Sequence, residues 1–332
     1  MATFSKATFD AAAYAAARPT YPQQLFQHIL SALPPAAGSS PRTLLDLGCG
    51  PGLSTFDWAP HVSSSGGGRF DRVVGVDPSE GMAKAARKIL QEKTDKGELH
   101  DGEWRFEVGR SDNLRGVVED GSVDLAIAGQ AAHWFDPAAT YKELARVLKP
   151  GGGFAFWGYG EFFFPHRPEL SVLIPPYSGG TLGPFWEQPG RSIVEALLTP
   201  FPFPSTASKS PSSPSADATS SPQPSEDSFD PSTFRRSFFL RPGGPPPPLT
   251  PASSEQPPHI NVSHELLLTK QWTLAQLEAY LRTWSAAHNY NAARGRDCVE
   301  DFVEQLKAAG LGETETVDVA WEVGVVMGRM RE

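Results

Sequence analysis

Between residues 43 and 158, five short apolar runs alternate with segments of helical spacing. The runs are Thr43–Leu47, Arg72–Asp77, Trp104–Gly109, Val123–Ala128 and Gly153–Gly158, and each ends on or just before a glycine or an acid. Runs this short, bounded by turn residues, predict buried strands. The helical segments are Leu53–Ala59, Ser79–Glu92 with Met82, Ala85, Ala86, Ile89 and Leu90 on one face, and Pro137–Leu148. Ser79 and Asp136 are N-cap candidates, and Pro137 suits a first helical position. Strict alternation of the two element types predicts a parallel sheet with right-handed crossovers and helices on both faces. Ligands of such sheets lie beyond the carboxyl ends of the strands.

After Gly160 the rhythm changes. Residues 161–198 are rich in aromatics, prolines and glycines, and residues 201–258 are mostly Ser, Pro and Thr. That composition buries too little apolar surface to offset its ordering entropy. An apolar island at Phe234–Leu240 is expected to be a strand between low-complexity insertions at about 203–227 and 242–258. Leu266–Tyr290 and Cys298–Ala309 read as helices, with Gly310 as a stop, and Val317–Met327 alternates like a strand returning to the sheet edge. The expected organisation is an N-terminal cap segment (1–42), a core (43–160), and a substrate cap that rejoins the sheet (161–332). Ser63–Gly68 reads as a surface loop.

The chain has 332 residues and a formal net charge of −9, with no long basic run, which disfavours nucleic acid as a partner. Two cysteines, Cys49 and Cys298, are too few for a disulfide framework or a zinc cluster, and no metal site is expected. No apolar stretch reaches the roughly 20 residues of a membrane span. The N-terminus carries Lys6, Asp10 and Arg18 and has no signal-peptide core. A soluble, cytoplasmic protein without membrane contact is expected, with weak contacts possible through the Pro/Ser-rich loops.

The first strand runs into Asp46-Leu47-Gly48-Cys49-Gly50-Pro51-Gly52. Glycines at alternate positions make a turn whose bare backbone a ligand can touch. The dinucleotide fingerprint is Gly-x-Gly-x-x-Gly, and here the third glycine comes one place early. Asp46 would repel a pyrophosphate and suits a ligand bearing an ammonium group, as S-adenosyl-L-methionine does. Asp77, at the tip of the second strand, can accept from both ribose hydroxyls, or cap the next helix. Ser111 or Asp112 can bond the adenine amino group and Met82 can pack on the ring, or 108–114 is a plain turn. Gln130 and His133 follow the fourth strand at the mouth of the sheet, where His133 either faces the site or packs among aromatics.

These motifs, with the Leu148-Lys149-Pro150-Gly151-Gly152 turn, resemble class I S-adenosylmethionine-dependent methyltransferases. Arg18-Pro19-Thr20-Tyr21-Pro22, Ala132-His133-Trp134-Phe135, Trp157-Gly158-Tyr159, the 182–191 string ending Glu187-Gln188-Pro189-Gly190-Arg191, and Thr283-Trp284-Ser285-Ala286 are similar to the fungal trans-aconitate 3-methyltransferase-like group. The resemblance covers most of the chain outside the insertions. It implies an α/β fold with a seven-stranded, mostly parallel, doubly wound sheet under a helical and aromatic cap. It also implies S-adenosyl-L-methionine as donor and a small polycarboxylic acid such as trans-aconitate as acceptor. Arg110 departs from the small or acidic residue of many relatives.

A carboxylate acceptor needs no base but must be held, which arginine does bidentately. Arg191 is the candidate for the acceptor carboxylate. Arg18, with Tyr14 and Tyr21 closing over it, is the candidate for the donor's carboxylate. A surface salt bridge is the alternative for either arginine. Trp134, Tyr159, Trp186 and Trp284 are candidate walls of the acceptor pocket or members of the core, and His288 shares a helix face with Trp284. For a hydroxyl or amine acceptor, His133 or His288 would be the base. The competing readings are a methyltransferase for a macromolecule or a secondary metabolite, a non-catalytic cofactor binder, and, more distantly, a nicotinamide dehydrogenase.

Overall fold

The computed structural model describes residues 11–34, 41–63, 65, 68–99, 101–204, 228–249 and 259–332. Most of the low-complexity stretches expected at 203–227 and 242–258, and part of the Ser63–Gly68 loop, lie outside the described residues. The strands are β1 (Thr43–Leu47), β2 (Arg72–Asp77), β3 (Glu103–Val108), β4 (Val123–Gly129), β5 (Leu148–Phe163), β6 (Phe229–Phe239), β7 (His259–Ser263), β8 (Leu268–Thr273) and β9 (Thr316–Met330).

Seven of them, in the order β3-β2-β1-β4-β5-β9-β6, form the expected mostly parallel sheet. The pairs from β3 through β5 are parallel, and β9 runs antiparallel to both its neighbours. Two strands lie beyond that expectation: β7 extends the sheet parallel to β6, and β8 pairs with β9. The late strand does not return to the edge but inserts between β5 and β6. Its run of Val323, Val325, Val326 and Met327 is buried, and a strand with so much apolar surface is stable only where the sheet is covered on both faces.

Successive side chains of a strand point to opposite faces. Leu44 accordingly packs on one side with Leu25, Phe26 and Ile29 of the helix Gln23–Ser31, while Leu45 and Leu47 pack on the other with Tyr141, Leu144 and Val147 of the helix Pro137–Val147. Truncating such a leucine to alanine costs roughly 2–5 kcal/mol. The caps fall where the sequence places them. The Ser79 side chain accepts from the Met82 N–H at the start of the helix Glu80–Asp95, and Asp136 accepts from the Ala139 N–H.

The segment 266–290, expected to be one helix, divides in three: β8, a helix Leu274–Arg282 and a helix Ser285–Arg294. Thr273 and Gln276 form a reciprocal capping box, which starts a helix at Leu274 and leaves the preceding residues free to pair with β9. Among the described residues no helix is long and apolar enough to cross a membrane.

Candidate active site

The turns after β1, β2 and β4 and the far end of β5 meet at one edge of the sheet. Gly48, Gly50 and Gly52 all have positive φ, so the chain reverses within five residues of β1. A Cβ at Gly50 would meet nothing within 4 Å, so this stretch of main chain faces open space. The Gly50 N–H donates to Asp77 Oδ2 at 2.9 Å, and the Ser79 N–H donates to Oδ1 at 2.8 Å. Each carboxylate oxygen keeps a lone pair for a further donor. Burial raises the Asp77 pKa above the usual carboxylate value, against the pull of these two amides.

The glycine turn and Asp77 form one wall of an outer cleft of about 320 Å³, also lined by Met82, Arg110, Ser111 and Phe135. A smaller inner chamber of about 90 Å³ adjoins it, lined by Arg18, His133, Tyr159, Glu161, Trp186, Arg191, Tyr280 and Trp284 among others. Tyr14, Gln130 and Trp134 line both spaces and mark their junction.

Gln130 is held in a left-handed conformation, φ 53°, a strained state for a residue with a side chain. Its N–H donates to the Trp157 carbonyl and its Nε2 donates to the Tyr159 carbonyl at 3.0 Å. Its Oε1 is buried without a hydrogen-bond partner. Gly158 makes room for that amide: a Cβ there would come within 2.8 Å of Oε1.

The Arg18 guanidinium donates to the Tyr159 hydroxyl at 3.1 Å and the Thr283 carbonyl at 3.3 Å, and lies 4.8 Å from the Tyr14 ring centre and 5.3 Å from that of Tyr280. Its Nε is buried without a partner, and among the described residues no carboxylate pairs with it. Arginine keeps its charge at any ordinary pH, so this is a sheltered cation prepared for an anion. Arg191 is the opposite case. It lies 4.2 Å from the Trp186 ring centre, donates from Nε to Glu195 at 2.7 Å, and donates from an end nitrogen to Glu161 at 3.0 Å.

The His133 Nδ1 is buried without a partner, and burial, with the nearby Arg18 charge, pushes its pKa down to about 3. It is a neutral and weak base. The chain bearing Arg191 reaches this wall through Gly190, where a Cβ would stand 3.1 Å from both His133 and Trp134.

The structure thus gathers Tyr14, Arg18, Gly48, Gly50, Asp77, Met82, Ser111, Gln130, His133, Trp134, Tyr159, Trp186, Arg191 and Trp284 around the two spaces. Four expected residues lie elsewhere. Asp46 is fully buried beneath the turn, accepting from the Thr55 and Ser54 hydroxyls at 2.6 and 3.2 Å, and burial raises its pKa to about 7. Gly52 shapes the turn, with Phe56 2.7 Å from where its Cβ would be. Asp112 is not among the residues lining the cleft; its carboxylate is engaged in a two-pronged pair with Arg110, both contacts 2.9 Å, and Arg110 does line it. His288 is exposed: the helix Ser285–Arg294 buries residues 285–287 and turns the next position outward. Glu161, Glu187 and Tyr280 are wall residues that the sequence reading missed.

These donors and acceptors fit S-adenosyl-L-methionine. Asp77 suits the ribose, the bare turn admits close approach, Arg18 suits a carboxylate, and Gln130 Oε1 with the rings at the junction suits a cation.

Residues 45–156 match the family model of a methyltransferase domain. The chain is 30% identical over 188 residues to a probable S-adenosylmethionine-dependent methyltransferase, CRG1, of Saccharomyces cerevisiae, covering 56% of this chain and 58% of that protein. It is 28% identical over 198 residues to the methyltransferase cfoB of Aspergillus candidus, covering 55% and 57%. The matches thus span less than three fifths of these relatives' length. A solved structure described as a putative type II methyltransferase from Anaeromyxobacter dehalogenans shares the fold, with TM-score 0.61 and 23% identity over 95% of this chain and 99% of that one. Residues 45–156 thus resemble a methyltransferase domain, and the chain has the fold of a solved structure so described.

Proposed function

We propose that the chain methylates a carboxylate oxygen of a small organic acid, with S-adenosyl-L-methionine as donor. The bound donor supplies an electrophilic methyl group on a positively charged sulfur. Asp77 and the glycine turn hold its nucleoside, Arg18 its carboxylate, and the Gln130 amide with the Tyr14 and Trp134 rings the region around its charge. Arg191 holds the acceptor at the far wall. The carboxylate forms its new O–C bond as the methyl's bond to sulfur breaks, and the electron pair leaves with the sulfur. The products are a methyl ester and S-adenosylhomocysteine, and no proton moves. Catalysis then consists of positioning and exclusion of water, which a small aromatic chamber provides.

The observation that carries this reading is His133. The one histidine in the walls of the two spaces, among the described residues, is held neutral with a pKa near 3, too weak to deprotonate a hydroxyl or an ammonium. An acceptor already ionised at neutral pH removes that requirement. The resemblance to trans-aconitate methyltransferases makes a polycarboxylic acid the first class to assay. Methylation of a secondary-metabolite hydroxyl or amine is the second reading, supported by the aromatic walls at Trp186, Trp284 and Tyr280.

Incubation with the donor and a mixed panel of carboxylic acids, phenols and amines tests this, read by mass spectrometry for a gain of one CH2. Base-labile methyl esters are expected. Transfer confined to phenols or amines would overturn the carboxylate assignment.

A further inference from the structure

Charge around the inner chamber narrows the acceptor further. The Arg191 side chain is only 10% exposed and meets two carboxylates, Glu161 and Glu195. Glu187 lines the same chamber. Arg191 has five N–H groups in a planar fork. Nε and one N–H of its partner nitrogen are engaged, so the remaining end nitrogen can hold one carboxylate. Away from Arg18, the charged residues lining the chamber are Glu161, Glu187 and Arg191, so the surplus on that side is negative; Glu195, on the outer side of Arg191, is about half exposed. Arg18, the other cation, stands across the chamber among Tyr14, Tyr159 and Tyr280 and is assigned to the donor. A second carboxylate on the acceptor would therefore face Glu161 without a cation of its own. The remaining wall, made by Trp134, Trp186, Trp284 and Tyr280, is aromatic and suits an apolar body.

We propose that Glu161 is a specificity-determining residue that restricts the acceptor to a monocarboxylic acid with an aromatic or otherwise apolar body. This rests on the carboxylate reading above and narrows it, against the polycarboxylic acid that the resemblance suggests. Glu161 acts through charge: it orients Arg191, leaves it one open end, and repels a second anionic group.

The test compares a series of aryl and alkyl monocarboxylic acids with di- and tricarboxylic acids, using the full chain as wild type and as Glu161→Gln. The glutamine keeps a hydrogen bond to Arg191 and removes the charge. Wild type should favour monocarboxylic acids by about tenfold or more in kcat/KM, and Glu161→Gln should raise the tricarboxylic-to-monocarboxylic ratio by about tenfold, mainly through KM. A merely structural role for Glu161 would lower all acids together and leave the ratio unchanged, which overturns the proposal. Preference of the wild type for tricarboxylic acids overturns it also, while leaving the carboxylate reading intact. If Glu161→Gln does not fold, the wild-type series alone decides the matter. Methylation of hydroxyls or amines alone brings down the carboxylate reading and this inference with it.

Discussion

Arg18 donates to the Tyr159 hydroxyl at 3.1 Å, joining the helix-flanking N-terminal segment to the last third of β5 across 141 residues of sequence. This bond, with the Thr283 carbonyl, fixes a sheltered cation at the junction of three distant parts of the chain. Loss of that cation should weaken donor binding specifically. Arg18→Met is expected to raise the dissociation constant of S-adenosylhomocysteine by about 10- to 100-fold, as for loss of a hydrogen bond to a charged group. Arg18→Lys should recover part of the loss, and Tyr159→Phe should cost less than either. Calorimetric titration of the folded variants checks the order.

Asp77 predicts a pH dependence with a definite sign. Its acceptor role needs the ionised form, and burial raises its pKa above the usual carboxylate value. Donor affinity should therefore fall as pH drops through that raised value, at a higher pH than an exposed aspartate would give. Asp77→Asn should weaken binding about 10- to 100-fold and abolish this acid limb. Titrations between neutral and mildly acidic pH in both proteins check it.

His133 predicts the absence of a limb. Because its pKa lies near 3, the kcat/KM profile should show no inflection near the ordinary histidine value of about 6.5. His133→Asn should lower kcat/KM by less than about tenfold, and Arg191→Met by about a hundredfold or more, mostly in KM. Steady-state assays on the best acid across neutral pH distinguish this from general-base catalysis, in which His133 would carry the limb.

Asp46 predicts a stability effect of the opposite sign from a salt-bridged acid. Its folded pKa, about 7, lies above the unfolded value of 3.8, so the folded state binds the proton more tightly. The contribution is fully present below about pH 4 and is lost as pH rises through 7, in total about 4 kcal/mol. The stability of Asp46→Asn relative to wild type should therefore improve by up to that amount between acidic and mildly alkaline pH. Urea unfolding at both ends of the range checks it, and a pH-independent difference would contradict it.

The parts of the fold legible in the sequence were those whose signal is local. Leu44–Leu47 before a glycine, Arg72–Asp77 before the Ser79 cap, and Asp136-Pro137 ahead of a helical pattern each carry their own boundaries. The segment 266–290 misled because Leu266, Leu267, Leu274, Leu277 and Leu281 sustain a helical reading, although Thr-x-x-Gln at Thr273–Gln276 marks a start inside it. The place of β9 between β5 and β6 depends on long-range pairing that no local pattern encodes.

The site divides in the same way. The glycine turn and Gln130 directly follow strands and Asp77 ends one, so the topology alone puts them at the ligand edge. Arg191 was visible, but Glu161 comes from another element thirty residues earlier, and its charge changes what Arg191 can hold. Asp46 was misread because an acid before a glycine turn looks ligand-facing, while its hydroxyl partners, Ser54 and Thr55, lie just beyond the turn and draw it beneath.

The central claim is that the cleft between the glycine turn and Asp77 receives an adenosyl donor whose amino-acid end reaches Arg18. Calorimetric titration of S-adenosylhomocysteine and, separately, of a nicotinamide dinucleotide into the full chain tests it most directly. One-to-one binding of the former is expected, with a dissociation constant on the order of micromolar, weakened by Asp77→Asn and by Arg18→Met, and no binding of the latter. Binding of the dinucleotide in its place, or an S-adenosylhomocysteine affinity indifferent to both substitutions, would contradict it.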